Sequence, residues 1–312
     1  MKEIDRLAEI AREEPHLAYS AFVHCLQAQW LHLLRTTPLE AGSLLQVDEA
    51  IANKLLPVLL RRQTVSDLER EWMALPVREG GLSIIRWSDE ELAIEYRASQ
   101  RICSPLLEKI EWEECERKQA TISAQIRQER QQQRQERAAS LHARLNNAQQ
   151  RARETAREKG ASSWLHTRPL ESQGYHLTPV EFHDAIALRM AWTPTDMPKT
   201  CQCGADYTVA HALSCQLGGL PTHRHHETRD LLADVMTEAC NSVAIDPLLT
   251  PVNGRTFLHS STTTDANARV DIVAGGVWGG RFEGALFDVC VFNAFAQSYS
   301  AKPLAANYDF HE

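Results

Sequence analysis

The chain has 312 residues, 43% of them hydrophobic and 24% charged, with a formal net charge of −8. This is the composition of a globular chain of about two domains. It excludes a membrane-spanning protein, because no run of eighteen apolar residues occurs, and it argues against a protein that coats nucleic acid over its whole surface. The charged start MKEIDRLAEIAREEP does not resemble a signal peptide, and the eight cysteines are scattered apart from one cluster. An intracellular protein of the nucleus or cytoplasm, with reduced thiols and no membrane partner, is therefore expected.

From Leu17 to Leu34 apolar residues recur at three-to-four spacing, which predicts helix across most of 2–35. Pro38 and Ala41-Gly42-Ser43 interrupt it. A second apolar helix is predicted over 47–60 and a third over 66–75, where Ser66 is the cap and Glu69 completes a capping box. Pro76 and Gly80-Gly81 mark a turn, and Ser88-Asp89-Glu90-Glu91 opens a fourth helix to about Arg101. Residues 1–110 thus read as a small helical bundle.

Residues 111–160 are rich in Gln, Arg and Glu, with no Pro or Gly before Gly160. They predict one or two long polar helices forming a linker. From Arg117 to Lys159 there are eleven Lys or Arg against four Glu, a local balance of +7. Two readings stay open: a solvated connector, or a face that meets the phosphates of DNA or RNA through Arg127, Arg130, Arg134 and Arg137.

Residues 161–220 become compact again, with Trp164-Leu165, Pro169-Leu170 and a helix from Thr178 carrying Phe182, Ala185, Ile186 and Met190. Then comes the most informative stretch, CQCGADYTVAHALSC. Cys201, Cys203, His211 and Cys215 follow a C-x-C-x7-H-x3-C pattern that reads as a structural Zn2+ site, with thiolates on one side and a short helix presenting the other two ligands. Thr208 is the expected cap of that helix.

In 221–312 a helix over 224–241 precedes β-type runs at 243–249, 268–274 and 285–292, separated by turns such as Gly275-Gly276 and Gly279-Gly280; a further helix is expected to begin in 301–312. Asp271 and Asp288 are the single acids in two of these apolar strands. A carboxylate there is costly unless it is paired or bound to a cation. Two carboxylates with the Val289 carbonyl suit Mg2+ or Mn2+ acting on a phosphodiester. Arg269 would contact phosphate or pair with an acid; a structural ion pair is the competing reading, and spacing leaves both open. Arg224, His225 and His226, at the helix start, can serve as phosphate contacts, bases or ligands.

In order and content the chain resembles the C-terminal part of a non-LTR retrotransposon reverse transcriptase of the restriction-like endonuclease type. The resemblance rests on QAQWLHLLRTTP, the Trp-containing EREWMALPVREGGLSI and EYRASQRICSPLLEKI for a thumb-like region. It continues through CQCGADYTVAHALSC and GGLPTHRHHETRDLLADVMTEAC for the knuckle, then ARVDI, VWGGRFEGALFDVCVFN and YDFHE for the nuclease. It implies an α+β chain: helical thumb, polar helices, zinc knuckle, and a truncated domain of the PD-(D/E)XK type. It implies Cys201, Cys203, His211 and Cys215 as zinc ligands, Asp271 and Asp288 as catalytic metal-binding acids, and Arg224 and His225 as an Arg-His pair at the nuclease. Cys290 stands where that nuclease motif has Lys, and no paired-Asp polymerase motif occurs. The expectation is therefore an ancestral endonuclease, inactive in this chain, which binds nucleic acid and works with a polymerase-bearing retroelement chain. The alternative is a non-catalytic zinc-knuckle binding or interaction protein.

Overall fold

The computed structural model describes residues 2–40, 42–87, 89–217, 220–248, 268–277, 284–291 and 293, the side chains of 89–93 excepted. Ser88 at the expected start of the fourth helix, the Gly279-Gly280 turn, part of each outer strand run, the helix expected to begin in 301–312 and the terminal YDFHE lie outside these residues. The fold is α+β, and the chain divides into two compact units, Met1–Thr195 and Asp196–Glu312.

The first unit is helical. Its elements are α1 (Lys2–Glu13), α2 (Pro15–Ala21), α3 (Gln27–Thr36), α4 (Leu45–Ala50), α5 (Leu56–Leu59), α6 (Asp67–Ala74), α7 (Asp89–Cys103), α8 (Trp112–Arg144), α9 (Asn147–Arg157) and α10 (Pro179–Arg189). Two π-helical turns, Phe22–Leu26 and Ile51–Leu55, join α2 to α3 and α4 to α5 without a break. Each expected helix forms, and for α6 and α10 the reason is local. Ser66 and Thr178 each accept from the N–H three residues on, while Glu69 and Glu181 reach back to the cap N–H.

The polar segment forms a 33-residue helix, about 50 Å long, and then α9, capped by Asn146 and Gln149. It is not wholly solvated. Ala138, Leu141, Leu145 and Ala152 are buried in the same apolar cluster as Phe22, Leu56, Trp72 and Phe182. Ala138 and Leu141, with Leu145 at its end, anchor the C-terminal part of α8, and Ala152 anchors α9.

At the centre of this unit runs an extended segment, Gly80 to Trp87, that belongs to no sheet. Leu82 and Ile84 donate to the Met73 carbonyl and Ser83 to that of Leu75. Gly80 N–H and Gly81 N–H donate to Val77 O and Pro76 O, and the carbonyls from Gly80 to Ile85 are met by side chains. Tyr19 donates to Leu82 O (2.8 Å), Gln27 bridges Ser83 O and Ile85 N (2.8 and 2.7 Å), and Trp72 donates to Gly80 O (2.9 Å). Arg70 donates to Ile84 O and Ile85 O (2.7 and 2.8 Å), and Arg189 donates to Gly81 O (2.8 Å) and Val77 O (2.9 Å). Burial pulls the Arg189 guanidinium down to about 10, so it stays charged at neutral pH. Gly81 fits closely here: a Cβ on it would lie 2.0 Å from the Leu75 carbonyl oxygen. Gly81→Ala should therefore cost about 3 kcal/mol, measured as a loss of unfolding free energy in urea.

His16 is 1% exposed and stacks on Phe182 with centroids 5.5 Å apart, while its Nδ1 accepts from Leu177 N–H (3.2 Å). Burial holds its pKa below the usual histidine value against the opposing backbone contact of Trp164, and nearby His176, which pairs with Glu14 at 2.6 Å, lowers it further. The unfolded chain takes up a proton near its ordinary value of 6.5, before the folded one does, so stability falls with acidification below that value. Acidification from about pH 7.5 to about pH 5.5 should therefore lower stability through this group. His16→Gln should flatten that part of the pH dependence in thermal melts, whatever its effect at neutral pH.

The second unit holds α11 (Val209–Ala212), α12 (Leu220–Ala239) and three antiparallel strands in the order β1 (Ser242–Ile245), β2 (Ile272–Gly275), β3 (Gly284–Phe287). Val270, Ile272, Ala274 and Ala285 are buried in this sheet region, α12 packs on β1 and β2, and its Ala233 is buried. Among the described residues no helix is long and apolar enough to cross a membrane.

Candidate metal centre and acidic pair

The knuckle is built from two tight turns. Cys201 N–H donates to Ala205 O and Gly204 N–H to Cys201 O, with Gly204 at φ +86°, a left-handed conformation that glycine accommodates. This brings the Cys201 and Cys203 sulfurs to the same side. Thr208 caps α11 by accepting from His211 N–H (3.1 Å), and Cys215 N–H donates to His211 O (2.8 Å), so one helical turn presents the His and the last Cys.

The four ligand atoms lie within 4.8 Å of one another. Cys201 Sγ is 3.7 Å from Cys215 Sγ, and Cys203 Sγ is 3.2 Å from His211 Nε2. A tetrahedral zinc with Zn–S bonds of about 2.3 Å needs sulfur–sulfur edges of roughly 3.8 Å. The cluster can therefore hold a zinc ion, and three thiols with one imidazole are the soft donor set that zinc takes. Purified protein should carry about one zinc per chain by atomic absorption. Cys203→Ser should lower that content, and chelation should make 196–217 more sensitive to protease.

The second feature lies at one end of the sheet. Ile272 pairs with Phe287, so Asp271, just before β2, and Asp288, just after β3, flank the same edge. The two acids expected inside strands stand instead at strand ends, where Asp288 is exposed and Asp271 is largely covered, its side chain 13% exposed. Asp271 Oδ2 accepts from Val289 N–H (2.6 Å) and lies 3.2 Å from His225 Nε2. Partial burial pushes the Asp271 carboxyl up, but the Val289 N–H, His225 and Asp288 outweigh it and hold the group below the usual carboxylate value.

Around this pair the expected residues are placed as follows. Arg224, on the first turns of α12, donates to Val291 O (3.2 Å), and its buried Nε has no hydrogen-bond partner. Exposed Arg269 donates to the Asp246 carbonyl (2.5 Å). Asp246 in turn pairs through its carboxylate with Arg229 (2.6 Å). His226 packs against His225 and is exposed, as is Cys290.

The arginines of α8 lie in the first unit. Arg127 is exposed. Arg130, Arg134 and Arg137 line a cavity of about 760 Å³ with Arg35, Arg86 and Arg144. Those last three were not picked out from the sequence. Arg144 continues the three-to-four spacing of the stripe and was legible; Arg35 and Arg86 come from α3 and from the extended segment, and nothing local marks them. Compared with known proteins, the chain matches no family model, no curated protein and no solved structure.

Proposed function

We propose that this chain is a retroelement-derived nucleic-acid-binding protein, with a zinc-held knuckle beside a relict metal-dependent nuclease site of the PD-(D/E)XK type. The observation that carries the reading is the pairing of Asp271 with Asp288 at one sheet end, beside His225 and within one unit with the Cys3His cluster. Two lone acids from apolar strands have little structural reason to converge on an edge, whereas two carboxylates in reach of one ligand do. A Mg2+ or Mn2+ ion there would be held by Asp271 and Asp288 and would supply an activated water for phosphodiester attack. The chain's own residues do the rest. His225 and the Val289 N–H orient Asp271, and Arg224 and Arg269 add positive charge near the edge.

Binding rather than cleavage is the surviving activity. Cys290 offers no cation at neutral pH where the motif has Lys. DNA or RNA is the ligand, with a polymerase-bearing retroelement chain as partner.

In fluorescence polarisation with a labelled oligonucleotide, log affinity should fall linearly with log salt, at about 0.9 per phosphate neutralised on duplex DNA; a flat salt response would sink the reading. Supercoiled plasmid should stay intact with Mg2+ or Mn2+. Nicking abolished by Asp271→Ala would favour an active nuclease instead.

A further inference from the structure

The cavity in the first unit has the dimensions of a small-ligand site rather than a surface track. At about 760 Å³ it falls within the roughly 300–1,000 Å³ typical of such pockets. Its floor is apolar, made by Leu31, Leu34, Leu75 and Ile85. Among the described residues its walls carry six arginines against Glu71, Glu95 and Glu136, an excess of three positive charges, and Arg86 also pairs with Asp67 outside the lining (3.3 Å).

Three of these arginines are held in place by carboxylates of the lining. Glu95 accepts from Arg35 (2.8 Å) and pairs with Arg130 (3.0 Å), and Glu71 binds Arg144. Such bracing fixes guanidinium forks in the geometry that binds phosphate oxygens bidentately.

An independent sign of a ligand lies in the same walls. Trp87 is 2% exposed, and its indole N–H has no acceptor; the Arg130 Nε is also buried without one. The same holds for nitrogens elsewhere among the described residues, among them Arg70 Nε, His142 Nδ1, His183 Nε2 and Arg224 Nε, and at such positions water or a ligand completes the group. The Trp87 and Arg130 groups belong to residues that line the cavity, and both call for an oxygen acceptor. A strand threading through would need exposed aromatics for its bases to stack on. Trp87, the one aromatic in the lining, is buried. An apolar floor under a ring of arginines fits instead one planar, weakly polar group carrying a phosphate.

We infer that this cavity is a binding site for a phosphate monoester of nucleotide size, with its phosphate among the braced Arg35 and Arg130 and their neighbours on α8, Arg134 and Arg137, and its ring on the Leu31–Ile85 floor. The site goes beyond the nucleic-acid reading, because it takes one terminal phosphate rather than a run of phosphodiesters. Two sources share that chemistry: a free nucleotide, and the phosphorylated end of a strand.

Titration calorimetry on the full chain tests it, using adenosine monophosphate, adenosine, and a thymidine decamer with and without a 5′ phosphate. Adenosine monophosphate should bind, with adenosine weaker by at least about tenfold. Replacing Arg134 and Arg137 together by Ala should weaken the monophosphate by about tenfold. Arg127→Ala, outside the cavity on the same helix, should leave it unchanged. Trp87→Phe should weaken it several-fold if circular dichroism shows the fold intact, and the arginine pair carries the test if it does not.

If the phosphorylated decamer follows the monophosphate, the ligand is a strand end; if only the monophosphate binds, it is a free nucleotide. No binding of adenosine monophosphate at millimolar concentration, equal binding of adenosine, or indifference to the arginine replacements would overturn the inference. A decamer that binds regardless of its end phosphate, with no binding of the monophosphate, also overturns it and leaves the nucleic-acid reading standing. Monophosphate binding without any salt-dependent oligonucleotide binding sinks that reading alone.

Discussion

The helical unit depends on one constraint: an extended backbone segment passes through its core with no neighbouring strand to pair with. From the helical turn Val77–Glu79 through the extended segment to Trp87 the chain presents carbonyls and N–H groups to an apolar interior, where each unmet group would cost about 1–3 kcal/mol. The helices answer with side chains. Tyr19 comes from α2, Gln27 from α3, Arg70 and Trp72 from α6, Arg153 from α9 and Arg189 from α10. Helices that pack through apolar faces alone can slide and repack. Here five of them are pinned to one segment by directional bonds, so their relative positions follow from it. Buried charge at Arg70 and Arg189 is tolerated because each of these guanidiniums spreads its donors over two carbonyls, and Arg70 also reaches Asp48 (2.9 Å).

The same segment positions the arginine cavity. Ile85, Arg86 and Trp87 emerge from the pinned stretch directly into its lining. The Trp87 backbone N–H is fixed by Asp48 (3.0 Å), the same carboxylate that takes Arg70. Its indole N–H is thus left without an acceptor beside a backbone that is tightly held, and reorientation of the segment is not an easy way to satisfy it. The second unit solves its problem differently. It has few large apolar residues buried among those described, and its knuckle closes around donors for an ion. The four donors there could hold a zinc ion, and metal bound at them would tie down the local fold as hydrogen bonds do in the first unit.

How much of this the sequence disclosed depended on whether the cause was local. The boxes at Ser66-Glu69 and Thr178-Glu181 start helices through contacts three residues apart, and the first was legible as a box. The knuckle was legible for the same reason, since its four ligands span fifteen residues. The acidic pair needed only two strands to be neighbours, although their ends were drawn too long: strands of four residues leave Asp271 and Asp288 just outside the ladder. What local pattern cannot encode is a partner far along the chain. Nothing near Arg189 announces that it bonds to Gly81, 108 residues away, or near Arg130 that it pairs with Glu95. The polar composition of 112–157 hid Leu141 and Leu145, because two buried leucines among many glutamines and arginines do not raise a periodic signal.

The carboxylates of the arginine cavity show why counting charges along α8 was a poor guide to what that helix does. As part of the 117–159 stretch, with eleven basic residues against four Glu, it reads as a diffuse positive face, and diffuse exposed charge is largely screened at physiological salt. In the fold, Glu95 and Glu71 draw Arg130 and Arg144 inward while Arg35 arrives from another helix, so spread charge becomes a walled excess of three. Each brace removes one formal positive charge and fixes the direction of a fork that would otherwise sample many rotamers. For a nonspecific polyanion the exchange is unfavourable, because net charge sets its affinity. For a single phosphate it is favourable, because orientation and partial desolvation decide how strongly a bidentate contact binds. The arrangement of acids among the arginines is therefore what separates a receptor for one anion from a generally basic surface.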